Sequence, residues 1–475
     1  MAHRTRPQLR WLAPRPRELQ RRPPSLIDVD LDPVQRGAVD LPMDRAVLVL
    51  GEAGHGKTTV ALHRLAYAWR ARRAERDRVR AAILVPTEGL ARLLQPLARR
   101  LGVDVEAIPY DRWAAAQARR ALRDVPRRES EAVRPLVARF KRDPAVRHGL
   151  AELAPRAPGR IDDDSDARPG RSRSLVRRGD LQALFGDRGL VETIARASRS
   201  ITPRMVEEVL DHTRAQFSRT AEEAWADVTD RARLLAVDHR RIDEGTSEGG
   251  AGAIDVEDYA VLFELERLRA AHRGVPAKAP RLYDVLVLDE AQEMAPLELA
   301  LVGRSLAPGG TLVVAGDVHQ QTDPTTAFFD WETTMRELGC QAYARVELTV
   351  GYRCPPHVVS LARHVLAPTS ALIAPSPPAV SFPSEEALAT ALGAEIEALR
   401  ALDPAASIGV VCRSPSNARR LAPALQRVVP ARLVFDGRFL ARGPAQIALV
   451  DDVKGLEFDF VVIPDATCDH YPDTE

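Results

Sequence analysis

Residues 51–59 read GEAGHGKTT and follow directly on the apolar run Ala46-Val47-Leu48-Val49-Leu50. Few short patterns restrict a fold as tightly. A G-x-x-x-x-G-K-[ST] loop of this kind needs a buried strand before it and a helix after it, and both patterns are present. Gly51, Gly54 and Gly56 let the backbone curl so that successive N–H groups face inward. The expected phosphate cradle is Gly51, Glu52, Ala53, Gly54, His55, Gly56, Lys57, Thr58 and Thr59. Lys57 is placed to reach the β- and γ-phosphates of ATP, and the Thr58 hydroxyl to hold Mg2+. A helix starting near Lys57 adds its positive dipole end.

A second apolar strand pattern, Asp284-Val285-Leu286-Val287-Leu288, runs into Asp289-Glu290-Ala291-Gln292. Beside a phosphate loop, such a pair suits phosphoryl chemistry. Asp289 would hold Mg2+, and Glu290 would act as general base on the attacking water. The same carboxylates also suit a helix N-terminus. Thr311–Ala315 is a further strand pattern, followed by Gly316-Asp317-Val318-His319-Gln320, which places Gln320 where it could touch the γ-phosphate.

The pattern between these motifs sets the organisation. Strand and helix signals alternate from Leu31 to about Leu101, which argues for a parallel sheet with helices on its faces. Residues 105–275 are Arg-rich and helical in pattern, interrupted by loop-like stretches at 155–173 and 243–253. The expected division is a basic arm over 1–28, a first core over 29–104 and 276–345, a helical insertion over 105–275, and a second core over 346–475. The arm has seven arginines and five prolines and reads either as a solvated tail or as a nucleic-acid contact. Net charge is +1 over 475 residues, so no global pull toward nucleic acid or membrane is expected. The four cysteines lack metal-site spacing. With no apolar run of about 18 residues and no leader pattern, the expectation is a cytoplasmic protein without a membrane partner.

In order along the chain, these motifs resemble those of UvrD/Rep-type superfamily 1 helicases, with details similar to HelD-type proteins. Leu31–Gln35 resembles the upstream Gln motif, and Gly316–Gln320 the third nucleotide motif. Leu348-Thr349-Val350-Gly351-Tyr352-Arg353 resembles the fourth, and Lys454-Gly455-Leu456-Glu457-Phe458-Asp459 the fifth. The HelD-like details are Val60–Tyr67 after the phosphate loop and Val346–Thr349 ahead of Tyr352-Arg353.

The resemblance implies an α/β fold of two RecA-like P-loop NTPase cores, with a helical insertion in the first and ATP in the cleft between them. It implies that Gln35 reads adenine, Tyr352 stacks on it, Glu457 approaches the ribose, and Arg353 serves as an arginine finger. A structural ion pair for Arg353 and a helix first-turn role for Glu457 remain open. Trp331 and Phe329 are candidates to stack on single-stranded DNA, although an aromatic cluster also suits a core.

The implied activity is ATP-driven 3′ to 5′ movement on single-stranded DNA. The alternatives are a HelD-like ATPase that remodels RNA polymerase and an ATP-binding module with weak hydrolysis. The stretch between Arg353 and Lys454 lacks the large domain that unwinding members insert there. The sixth motif, with its second arginine finger, does not follow the fifth. Loss of such a finger lowers hydrolysis by roughly three to five orders of magnitude in related chemistry, so the expectation is a truncated gene product, slow turnover or a group supplied by a partner.

Overall fold

The computed structural model of the chain describes residues 27, 30–75, 78–122, 125–130, 133–156, 174–217, 252–352, 354–367, 380–440 and 442–467. The expected arm, apart from Ile27, lies outside the described residues, as do Arg353 and most of the two expected loops.

The described residues form an α/β protein with two sheets, of six and four strands. The first contains β1 (Ala46–Gly51), β2 (Ala81–Val85), β3 (Glu106–Pro109), β4 (Tyr283–Leu288), β5 (Leu306–Gly316) and β6 (Tyr343–Leu348). Their order is β3-β2-β4-β5-β1-β6, and every pairing is parallel. Alternate residues of each strand enter different cores, as the period of two demands. Leu48, Leu84, Leu286, Leu288, Leu312 and Val314 face one way. Val47, Val49, Ile83, Val85, Val285, Val287 and Val313 face the other, under helices Lys57–Glu75 and Glu88–Arg100. Both faces are therefore covered, which is why these strands read as unbroken apolar runs.

Two expected boundaries are corrected. The first sheet reaches past residue 104, because β3 pairs with β2 from Glu106 to Pro109. It also reaches past 345, because β6 pairs with β1 through Leu348. The helical insertion is fused to the first core. Its helices, including Pro135–Arg142, Val146–Leu153, Pro203–Phe217 and Val256–Arg273, share one continuous apolar core with a face of the first sheet. Helix Val256–Arg273 is buried on nearly all sides and packs on Tyr110–Ala121, Val146–Leu153 and Pro296–Gly303. Its buried charges are paired: Asp255 and Asp258 with Lys141, and Arg269 with Asp180.

The second sheet contains β7 (Ile408–Cys412), β8 (Ala431–Leu433), β9 (Ala445–Leu449) and β10 (Phe460–Val462), in the order β10-β7-β9-β8. It has its own core of Leu392, Ile396, Val410, Leu421, Leu425 and Ile447. The two units meet at the start of helix Glu88–Arg100. A side chain on Gly89 would come within 3.3 Å of the Asp452 carbonyl, and one on Gly455 within 2.8 Å of Leu90. Among the described residues, no helix is long and apolar enough to cross a membrane.

Candidate nucleotide site

The strand order decides which loops meet. β5 lies between β1 and β4, with Leu50 level with Gly316 and Leu288 level with Val314. The three parallel strands therefore bring Gly51, Asp317 and Asp289 to one carboxyl edge, where open α/β sheets bind ligands.

The loop's shape follows from its glycines. Gly54 and Gly56 have φ of 80° and 85°, a region L side chains rarely adopt. A Cβ on Gly56 would also lie 2.7 Å from Gln35 Nε2. Lys57 is buried, and its Nζ donates to the carbonyls of Gly51 (2.8 Å) and Glu52 (3.1 Å). It stands 3.9 Å from the Asp317 carboxylate. His55 is also buried, with Nδ1 2.7 Å from the Leu348 carbonyl. The Tyr352 N–H donates to the Gly54 carbonyl (3.1 Å). These two contacts tie the loop to the segment leaving β6.

Across the edge, the Thr58 hydroxyl donates to Asp289 Oδ2 at 2.8 Å. Asp289 is buried; burial and the adjacent Glu290 carboxylate raise its pKa well above the usual carboxylate range, against the pull of Thr58 and Lys57. Glu290 is the one non-glycine residue with positive φ among the described residues, at 57°. Its carboxylate accepts a 2.6 Å bond from Gln292 Nε2, and Gln292 Oε1 accepts from the Asp317 N–H (3.1 Å). Backbone strain and a fixed side chain together aim the Glu290 carboxylate. Gln320 lies on the same edge, donating to Asp317 Oδ2 at 2.7 Å.

A hydroxyl beside one buried carboxylate fits Mg2+, which takes few protein oxygens and completes its shell with water and phosphate. Among the described residues, no group of three or more acidic, His or Cys side chains offers a metal cage of its own. Thr58 and Asp289 are the residues that would hold the ion.

Gln35 sits beside the loop. Its Nε2 donates to the His55 carbonyl (3.3 Å), while its Oε1 accepts the Asp32 N–H (3.3 Å) in a capping box. Gln35 lies on helix Pro33–Val39, and buried Arg64 ties down the end of that helix and the turn after it by donating to the carbonyls of Val39, Leu41, Pro42 and Arg45. Tyr352 is exposed, and its hydroxyl donates to Asp32 Oδ2 at 2.6 Å. Glu457 is exposed on the second unit. Arg353 lies outside the described residues.

Trp331 is corrected. It is buried, packed edge-on against Phe328, and it closes on Gly316, where any Cβ would lie 2.3 Å from its ring. That ring is part of the core and is not open to a base. Phe329 is 55% exposed.

Sequence reasoning did not anticipate Glu293. Its two carboxylate oxygens accept the N–H groups of Thr322 (2.8 Å) and Asp323 (3.1 Å), and it forms a buried ion pair with Lys454 of the second unit. Lys454 also donates to the Thr322 hydroxyl (3.2 Å). Arg142 of the helical block reaches the same loop at Asp323 (2.5 Å) and Thr325 (2.6 Å). Residues 322–325 therefore join both units and the helical block, a short walk along the chain from Gln320.

No protein-family model matches the chain, and no curated protein matches it.

Proposed function

We propose that this chain is an ATP hydrolase of the UvrD/Rep-like kind, in which two RecA-like cores convert turnover into movement along single-stranded DNA. The observation that carries the reading is the 2.8 Å bond between Thr58 and Asp289, residues from opposite halves of the sequence. A chance glycine-rich turn gives no reason for its hydroxyl to meet a buried carboxylate with a raised pKa. In this reading the loop N–H groups and Lys57 bind the β- and γ-phosphates. Mg2+, when bound by Thr58 and Asp289, supplies neutralising charge on the phosphate oxygens. Glu290 takes the proton of the attacking water, and Gln320 turns to the γ-phosphate. Tyr352 and Gln35 flank the adenine side. Arg353 keeps the arginine-finger role that the resemblance implies.

The tie from Glu293 and Lys454 to residues 322–325 supports coupling between the site and the second unit. With Trp331 withdrawn into the core, exposed Phe329 is the aromatic candidate for DNA contact. Steady-state ATPase measurements with and without single-stranded DNA test the reading. Stimulation by DNA is the expected result. Stimulation by RNA polymerase and not by DNA would replace it with the HelD-like reading, and binding without turnover under either condition would leave a nucleotide-binding module.

A further inference from the structure

An acidic residue at the mouth of a phosphate loop works against a polyanion. Glu52, the second residue of the loop, is such a residue, and it is 41% exposed on its side chain. It is not left alone. Arg363, on helix Pro356–Leu366, reaches across and donates from Nη2 to Glu52 Oε2 at 2.8 Å, and from Nε to both oxygens at 3.2 Å. The backbone carbonyl of the same Glu52 accepts Lys57 Nζ. One residue therefore holds two cations beside the cradle, Lys57 through its main chain and Arg363 through its carboxylate. The contacts of His55 with Leu348 and of Tyr352 with Gly54 fasten the segment leading into the Arg363 helix onto the same loop. Arg363 stays within reach of the loop for that reason.

We infer that Arg363 is a further phosphate-binding residue, held on Glu52 until a nucleotide triphosphate enters and then transferred to its phosphate oxygens. The inference rests on the nucleotide-binding reading above and extends it. The energetic order favours the exchange. Both side chains of the pair are largely in solvent, at 58% and 41%, and pairs of that kind contribute little. A guanidinium on phosphate makes shorter, charge-assisted and often bidentate bonds. Glu52, once released, turns its carboxylate to water. Paired, it cancels the charge of Arg363 and keeps other anions from occupying the mouth.

Titration calorimetry of Mg-ATP against the full chain tests this. Arg363→Gln is expected to weaken binding about tenfold, the scale of one charge-assisted hydrogen bond, and Arg363→Lys to recover part of the loss. Glu52→Gln is expected to tighten binding about threefold by freeing Arg363, and that gain is expected to shrink in the Glu52→Gln/Arg363→Gln double variant. Parent-like affinity in Arg363→Gln, or the same gain from Glu52→Gln in both backgrounds, overturns the inference while the nucleotide site stands. Failure of the parent chain to bind Mg-ATP removes the reading and the inference together.

Discussion

Lys141 is the residue whose replacement tests the packing of the helical block most sharply. Its ammonium is fully buried, 2.7 Å from both Asp255 Oδ2 and Asp258 Oδ1, and 5.0 Å from the centre of the Phe185 ring. His212 and Ser130 complete Asp255, and Gln216 completes Asp258. Burial pushes the Asp255 carboxyl up, but Lys141 and His212 outweigh it and hold that group well below the usual range. Burial and Asp255 raise Asp258 instead, with Lys141 opposing. Lys141→Met keeps the stem's packing and removes the one ammonium between two buried carboxylates. Breaking a buried pair in this way costs about 3–5 kcal/mol, which corresponds to a fall in Tm of about 5–15 °C for a unit of this size.

The pH dependence follows from the signs. In the parent, the depressed Asp255 value gives stability that is present above its unfolded pKa and lost only as pH falls through the lower folded value. In the variant both carboxyls lose the Lys141 ammonium, with only His212 left beside Asp255, so their folded values rise and they take up protons as pH falls. The penalty is therefore largest at pH 7.5 and shrinks toward pH 5. Thermal melts followed by circular dichroism at the two pH values measure it. A variant within about 1 kcal/mol of the parent at pH 7.5, or a penalty that grows toward pH 5, would refute this account of the buried cluster.

The site yields further expectations. Asp289→Asn should raise the Tm of the nucleotide-free chain, more at pH 8 than at pH 6. The raised folded pKa of Asp289 makes its charged form a cost that disappears as pH falls. Isothermal titration should show that the same variant loses the Mg2+-dependent part of ATP binding. Gly56→Ala meets both a positive φ and the Gln35 amide, so scanning calorimetry should record a loss of about 1–3 kcal/mol. Trp331→Ala should cost about 3–5 kcal/mol in urea unfolding, while Phe329→Ala leaves stability within about 0.5 kcal/mol and weakens single-stranded DNA binding in fluorescence anisotropy. Lys454→Met should loosen the second unit from the first, read as faster amide hydrogen exchange at residues 88–90 and 452–456, where the units meet; unchanged exchange would show that the Glu293 pair does not hold the units together.

The meeting of the β1, β4 and β5 ends at one carboxyl edge was legible because the signals are local. The loop spacing, the apolar run before it and Asp289-Glu290 at the end of another run each fix a short stretch of backbone, and parallel pairing then brings the strand ends together. Short or half-exposed strands carried less signal. β3 is four residues ending in proline, and β8 is three residues, all half-buried. In β9 a buried Gln446 interrupts the apolar pattern, satisfied by the N–H and carbonyl of Leu440. β6 straddles the boundary expected at 345, and nothing local says which sheet it joins. The fused helical block was hidden for another reason. Helix Val256–Arg273 carries Glu257, Asp258, Glu264, Glu266 and Arg269, which look solvated in a linear reading. All are buried. Partners such as Lys141, Arg142 and Asp180 lie far along the chain, where spacing gives no hint of them. Trp331 shows the same limit, since its place was set by the missing side chain of Gly316.

The measurement that bears most directly on the central claim is Mg-ATP binding by the parent chain beside Lys57→Ala, titrated with and without Mg2+. The account predicts saturable binding to the parent that strengthens with Mg2+ and is lost in the variant. Equal binding by both chains, or none by the parent at millimolar ATP, would contradict it.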